Sequence, residues 1–76
     1  MDCIYCKTTD IIADEEGKKY TVYGIKAVSA VNHQEVLKFV PDIFFDQKRA
    51  EEFIAQCNAL ELKLIHLMDV IEDELS

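Results

Sequence analysis

The stretch Pro41-Asp-Ile-Phe-Phe-Asp46-Gln-Lys-Arg-Ala50-Glu-Glu-Phe53-Ile54-Ala-Gln-Cys57-Asn-Ala-Leu60 marks where this chain changes its apolar periodicity. After Asp46, the residues Ala50, Phe53, Ile54, Cys57 and Leu60 recur at three and four positions, which places them on one face of a helix. The Asp46 carboxylate can accept from the unpaired N–H groups of a first helical turn, so it is the expected N-cap. The spacing predicts a helix over roughly 47–61 lying on a core.

Upstream, the pattern is that of strands. Val36-Leu37-Lys38-Phe39-Val40 reads as a third strand stopping at Pro41, which lacks a backbone donor. Asn32-His33-Gln34-Glu35 forms the turn before it, and Lys19 to Val31 a second strand. That strand changes phase, with Tyr20 and Val22 apolar on one parity and Ile25 and Ala27 on the other. Gly24 lies between them, so a bulge or sharp coil at Tyr23-Gly24 is expected to return all four to one face. Residues 3–13 form the first strand, joined to the second through Asp14-Glu15-Glu16-Gly17.

Downstream, after a Glu61-Leu62-Lys63 connection, the residues Leu64, Leu67, Met68, Ile71 and Leu75 repeat the helical spacing. His66, Asp69 and Asp73 fall on the other side of that helix and face water. The order βββαα defines an α+β fold, a three-stranded antiparallel meander followed by two helices packed on one sheet face. Residues 1–76 read as a single small domain, without repeat, low-complexity tract or linker.

With 76 residues, half of them hydrophobic, the chain is apolar enough to fold. A domain this small buries only about 60% of the surface its unfolded chain exposes, so its stability is marginal and a homodimer is one way to add buried surface. The net charge of −7 repels nucleic-acid phosphates and anionic lipid. Residues 1–40 carry five lysines and six acids, a net −1, whereas residues 41–76 carry three bases and nine acids, a net −6. The acidity therefore belongs to the helical half. No stretch approaches the eighteen or so apolar residues of a membrane span, and no signal peptide is expected. Three cysteines, an odd number, agree with a reducing, cytoplasmic setting.

Catalytic chemistry lacks parts. Ser29 and Ser76 are the only serines, His33 falls in a turn and His66 on a solvent face, so no nucleophilic triad can be assembled. Gly17 and Gly24 stand alone, and no Gly-rich loop cradles phosphate. Tyr20 and Tyr23 could stack bases, but the charge opposes RNA. Lys48 and Arg49 lie in the first helical turn, where cations oppose the macrodipole, and solvation accounts for them.

Cys3-x-x-Cys6 has the spacing at which two thiolates bind one metal ion or exchange a disulfide when a tight turn brings them together. On a strand, residues three apart point to opposite faces. Cys57 lies within the helical stripe, as a small buried hydrophobe would. His66, Asp69 and Asp73 are metal-ligand types on one helix face, a spacing common on solvated helices. The acidic end Asp69, Glu72, Asp73 and Glu74 opposes the helix macrodipole, a mismatch that suits docking to a basic protein partner and equally a solvated terminus.

The segments Tyr20-Thr-Val-Tyr-Gly-Ile-Lys-Ala-Val28, Pro41-Asp-Ile-Phe44, Ala50-Glu-Glu-Phe53 and Ile65-His-Leu-Met-Asp-Val-Ile-Glu-Asp73 together resemble a family of short uncharacterised bacterial proteins of unknown function, over about residues 20–75. Relatives carry a Ser-Pro helix start before the Ile-His-Leu-Met segment, where this chain has Lys63-Leu64. These segments build the fold, so the resemblance implies no substrate, cofactor or catalytic residue. The expectation is a small non-catalytic cytoplasmic interaction module without a cofactor, presenting its acidic C-terminal helix or an exposed strand edge, and binding neither nucleic acid nor membrane. The alternative is a thiol or metal-binding protein using Cys3 and Cys6.

Overall fold

The computed structural model describes residues 2–76. Strands β1 (Cys3–Ala13), β2 (Lys19–Ser29) and β3 (Val36–Phe44) form an antiparallel sheet in the order β1-β2-β3. Helix α1 (Gln47–Ala59) follows, then a 3₁₀ turn at Leu64–His66 and helix α2 (Leu67–Leu75). The βββαα order and the antiparallel meander are those read from the periodicity.

The β1–β2 hairpin turns through Asp14 and Gly17. Gly17 adopts φ 83°, a region open to glycine at no steric cost. The Asp14 carboxylate accepts from the backbone N–H of Glu16 and of Lys18, both at 2.9 Å. This is an Asx turn that fixes the hairpin register. Between β2 and β3, the Ser29 hydroxyl accepts from the N–H groups of Val31 and Asn32 at 3.2 Å, so β2 ends at Ser29, short of Val31.

The β1–β2 pairing runs without interruption from Cys3↔Ser29 to Ala13↔Lys19. Ile25 and Ala27 therefore do not return to the face of Val22, as the expected bulge in β2 would require. The irregularity lies across Gly24 in β3, where Pro41, Asp42 and Ile43 stand opposite it between the pairs Tyr23↔Phe44 and Ile25↔Val40. Asp42 takes a positive φ of 56° there. Because β3 is an edge strand, Pro41 does not stop it, and pairing resumes at Phe44. Gly24 is needed for close approach: a Cβ at this position would collide with the Val40 carbonyl oxygen and lie 2.8 Å from both Pro41 Cα and Thr8 Oγ1.

One sheet face carries the core. Cys3, Tyr5, Ile25, Ala27 and Phe44 pack against Ala50, Phe53, Ile54 and Cys57 of α1 and against Leu67 and Ile71 of α2. Phe44 and Phe53 meet with ring centroids 5.6 Å apart. Asp46 caps α1 as expected, its carboxylate accepting from the Lys48 N–H at 3.0 Å. The other end of α1 departs from expectation. Leu60 is 80% exposed, because the helix stops at Ala59 and Glu61 takes a left-handed φ of 50°. The Leu62 N–H then reaches back to the Cys57 carbonyl at 3.0 Å and that of Glu61 to Asn58 at 3.1 Å, a Schellman closure that packs Leu62 on the core in place of Leu60.

Helix α2 enters through the 3₁₀ turn. Lys63 has the extended backbone of an N-cap, φ −73° and ψ 142°, but no side-chain capping bond. The buried face of α2 is Leu67 and Ile71, flanked by Leu64 and Val70, while Met68 and Leu75 are exposed. The helix is rotated from the orientation expected, because Val70 rather than Met68 is turned to the core.

Gly24→Ala is expected to lower stability by about 1–3 kcal/mol through the clash with β3, read as a fall in the urea midpoint. Lys63→Ser supplies the missing cap and is expected to raise stability by roughly 0.5–1 kcal/mol, read by the same measurement.

Candidate functional site

The side chains singled out from the sequence are dispersed by the fold. Cys3 is buried on the helix-covered face of β1, whereas Cys6 is half-buried on the opposite face, where it pairs with Lys26. The strand pleat thus separates the two thiols. Cys57 lies in the core cluster with Cys3, and burial pushes its thiol pKa up, which keeps it protonated. Among the described residues, no group of three His, Cys, Asp or Glu side chains is placed to hold a metal ion.

Tyr5 joins the sheet to the helical layer. Its backbone N–H donates to Asn58 Oδ1 and its carbonyl accepts from Asn58 Nδ2, both at 2.9 Å. The amide of α1 thereby takes the place of a fourth strand at this point of the β1 edge. The Tyr5 hydroxyl donates to the Leu62 carbonyl at 2.5 Å. Burial pushes the Tyr5 pKa well above its ordinary value of 10.0, and hydrogen bonding with Cys3 raises it further. The phenol is a fixed donor.

Arg49, expected to be merely solvated, ties α1 to two other elements. Its guanidinium donates to the Glu74 carbonyl at 2.7 Å, lies 3.6 Å from the Glu74 carboxylate, and stands 5.2 Å from the Phe44 ring centroid. It supplies a cation at the C-terminus of α2, where the macrodipole favours one. Glu74 is consequently half-buried and engaged, while Asp69, Glu72 and Asp73 remain exposed. On the opposite side of the helical layer, Lys7 pairs with Glu51 at 3.0 Å and lies over Tyr23, 5.6 Å from its ring centroid. Hydrogen bonds from Lys7 and then Gln47 hold the Glu51 carboxyl below its ordinary range.

Three surface features remain. The first is a cleft of about 470 Å³ between Asp2-Cys3 and the 61–65 connection. It is shallow and holds no convergent set of catalytic side chains. The second is the sheet face away from the helices. Cross-strand partners share a face, so Ile4, Val28 and Val36 form one row and Cys6, Lys26 and Phe39 the next. Phe39 is 56% exposed and Val36 52%. Periodicity in β3 could not reveal this face, because the phase of that strand depends on its bulges.

The third feature comprises the two sheet edges, both of which are blunted. On β1, Asn58 occupies the Tyr5 groups and Asp10 Oδ1 accepts from the Ile11 N–H at 2.8 Å. On β3, Leu37 is an extra residue between Lys38 and Val36, and Pro41 removes a donor. Bulges, lysine and proline are devices that discourage strand addition.

A three-stranded antiparallel meander followed by two helices, an α+β arrangement, defines the class of the molecule. The chain belongs to a family of unknown function, DUF6514, whose match spans residues 1–76. The family resemblance read over residues 20–75 therefore extends to the first strand. No curated protein and no solved structure matches.

Tyr5→Phe leaves the Leu62 carbonyl unpaired and is expected to cost about 1–2 kcal/mol at pH 7. Because the folded pKa of Tyr5 is raised, its stabilisation is complete below the ordinary value of 10.0 and lost as pH rises toward the folded value. The stability gap between wild type and Tyr5→Phe should therefore narrow above pH 10, as followed by urea unfolding at successive pH values.

Proposed function

We propose that the protein is a small non-catalytic cytoplasmic interaction module that self-associates through the outer sheet face around Phe39. The observation that carries this reading is the pair Phe39 and Val36, 56% and 52% exposed beside the buried Val28 on the sheet face opposite the helices. Adjoining exposed apolar side chains of this kind suit an interaction surface.

Charge favours a second copy as the occupant. Two chains of net charge −7 repel one another wherever their acidic surfaces meet. The acid excess lies on the helices, behind the sheet, while the rows around Phe39 carry only Lys26 as a charged side chain. Face-to-face sheet packing is thus the approach that keeps like charges apart, and it adds buried surface to a domain that has little. Strand addition at an edge is less favoured, because both edges are blunted. A cytoplasmic setting is supported by three free cysteines. Among the described residues, no helix is long and apolar enough to cross a membrane.

Sedimentation equilibrium tests the reading. Wild type is expected as a concentration-dependent dimer, and Phe39→Lys as a monomer with unchanged far-UV circular dichroism, since an exposed substitution should alter fold stability by only about 0.5 kcal/mol. A wild-type monomer at all concentrations, or a Phe39→Lys dimer of unchanged affinity, overturns it.

A further inference from the structure

Helix α2 has more apolar surface than the core uses. Met68 and Leu75, seven residues apart, lie along one line of the helix surface, spanning about 10 Å at a rise of 1.5 Å per residue, and Ile65 stands in the 3₁₀ turn that precedes the helix. All three are exposed, Ile65 at 81%. The arc turns continuously outward from the core. At about 100° per residue, Ile71 is buried, Met68 and Leu75 come next, and Glu72, Asp69 and Asp73 complete the turn in that order. An apolar line is thus bordered on its solvent side by three exposed carboxylates. The fourth acid, Glu74, lies on the far side and is held by Arg49.

From this juxtaposition we propose that the outer flank of α2 is a docking site for a basic amphipathic helix of another protein. The partner's apolar row packs on Met68 and Leu75, while its lysines or arginines face Asp69, Glu72 and Asp73. The arrangement is that of a two-helix seam with charged flanks. Charge complementarity selects the occupant. A second copy would bring one acidic bank toward another, whereas a cationic helix meets the carboxylates and the negative end of the α2 macrodipole together. The flexible thioether of Met68 suits a surface that accommodates a partner by repacking. This site is separate from the sheet face around Phe39, and the two inferences stand or fall independently.

The test uses the full chain, isotope-labelled for NMR, and two synthetic peptides. One is a Leu/Lys peptide with leucines at helical spacing, and the other is a Ser/Lys peptide of the same length and charge. Binding of the Leu/Lys peptide is expected to shift amide resonances of residues 64–76 and to leave those of Ile4, Val28 and Phe39 in place. Met68→Ser with Leu75→Ser should weaken binding roughly tenfold or more. Asp69→Asn with Asp73→Asn should weaken it and flatten its salt dependence. Met68→Ser alone provides a milder variant if the double change unfolds α2, and Phe39→Lys should bind with wild-type affinity. Equal binding of the Ser/Lys peptide, shifts centred on the sheet face, or full affinity in the Met68 variants overturns the proposal.

Discussion

The side-chain amide of Asn58, hydrogen-bonded to both backbone groups of Tyr5, is the contact on which the rest of the structure depends. It fixes the height and rotation of α1 against β1. The Tyr5 hydroxyl, bonded to Leu62, then fixes where the chain goes when α1 ends. Neutral hydrogen bonds of this kind contribute only about 1 kcal/mol each. Their weight lies in direction, since apolar packing of Phe53 and Ile54 on Ile25 and Ala27 would tolerate a sliding helix. The same amide also closes part of an edge strand. One residue thereby links helix placement to protection of the sheet.

Helix α2 is held more sparingly. It buries Leu67 and Ile71, and Arg49 ties its last turn to α1 and to the Phe44 ring. As the only arginine in the chain, Arg49 has a geometric task that lysine would perform less well, because a planar guanidinium can serve a carbonyl, a carboxylate and an aromatic face at once. The consequence is an asymmetric helix, with one side fixed and the opposite flank free to carry apolar and acidic side chains outward. The sheet shows a similar asymmetry, with the helices on one face and Val36 and Phe39 exposed on the other.

Much of the architecture was legible in the pattern of residues. Alternation and helical spacing are local properties, so β1, the hairpin at Asp14–Gly17, the Asp46 cap and the stripe of α1 could be read directly. The opposed placement of Cys3 and Cys6 follows from the strand period alone. Other features were legible only in part. The phase change at Gly24 signalled an irregularity, but the extra residues reside in the neighbouring strand, and no single-strand pattern can say which partner accommodates a mismatch. Leu60 extends the stripe of α1 by its spacing, yet the left-handed turn at Glu61 leaves it outside and brings Leu62 in. Met68 and Leu75 were grouped with the core because spacing defines an arc, not how much of it a neighbour will cover.

By itself, then, the sequence determined the βββαα order, the meander, the helix stripes and the concentration of acid after residue 40, since each depends on intervals along the chain or on counts. Only the tertiary structure decided which sheet face the helices cover, that both edges are blunted, that Arg49 and Glu74 are engaged, and that one flank of α2 stays open. These depend on how a strongly bulged edge strand and a lightly held helix meet residues distant in the chain, and such meetings are set by three-dimensional packing.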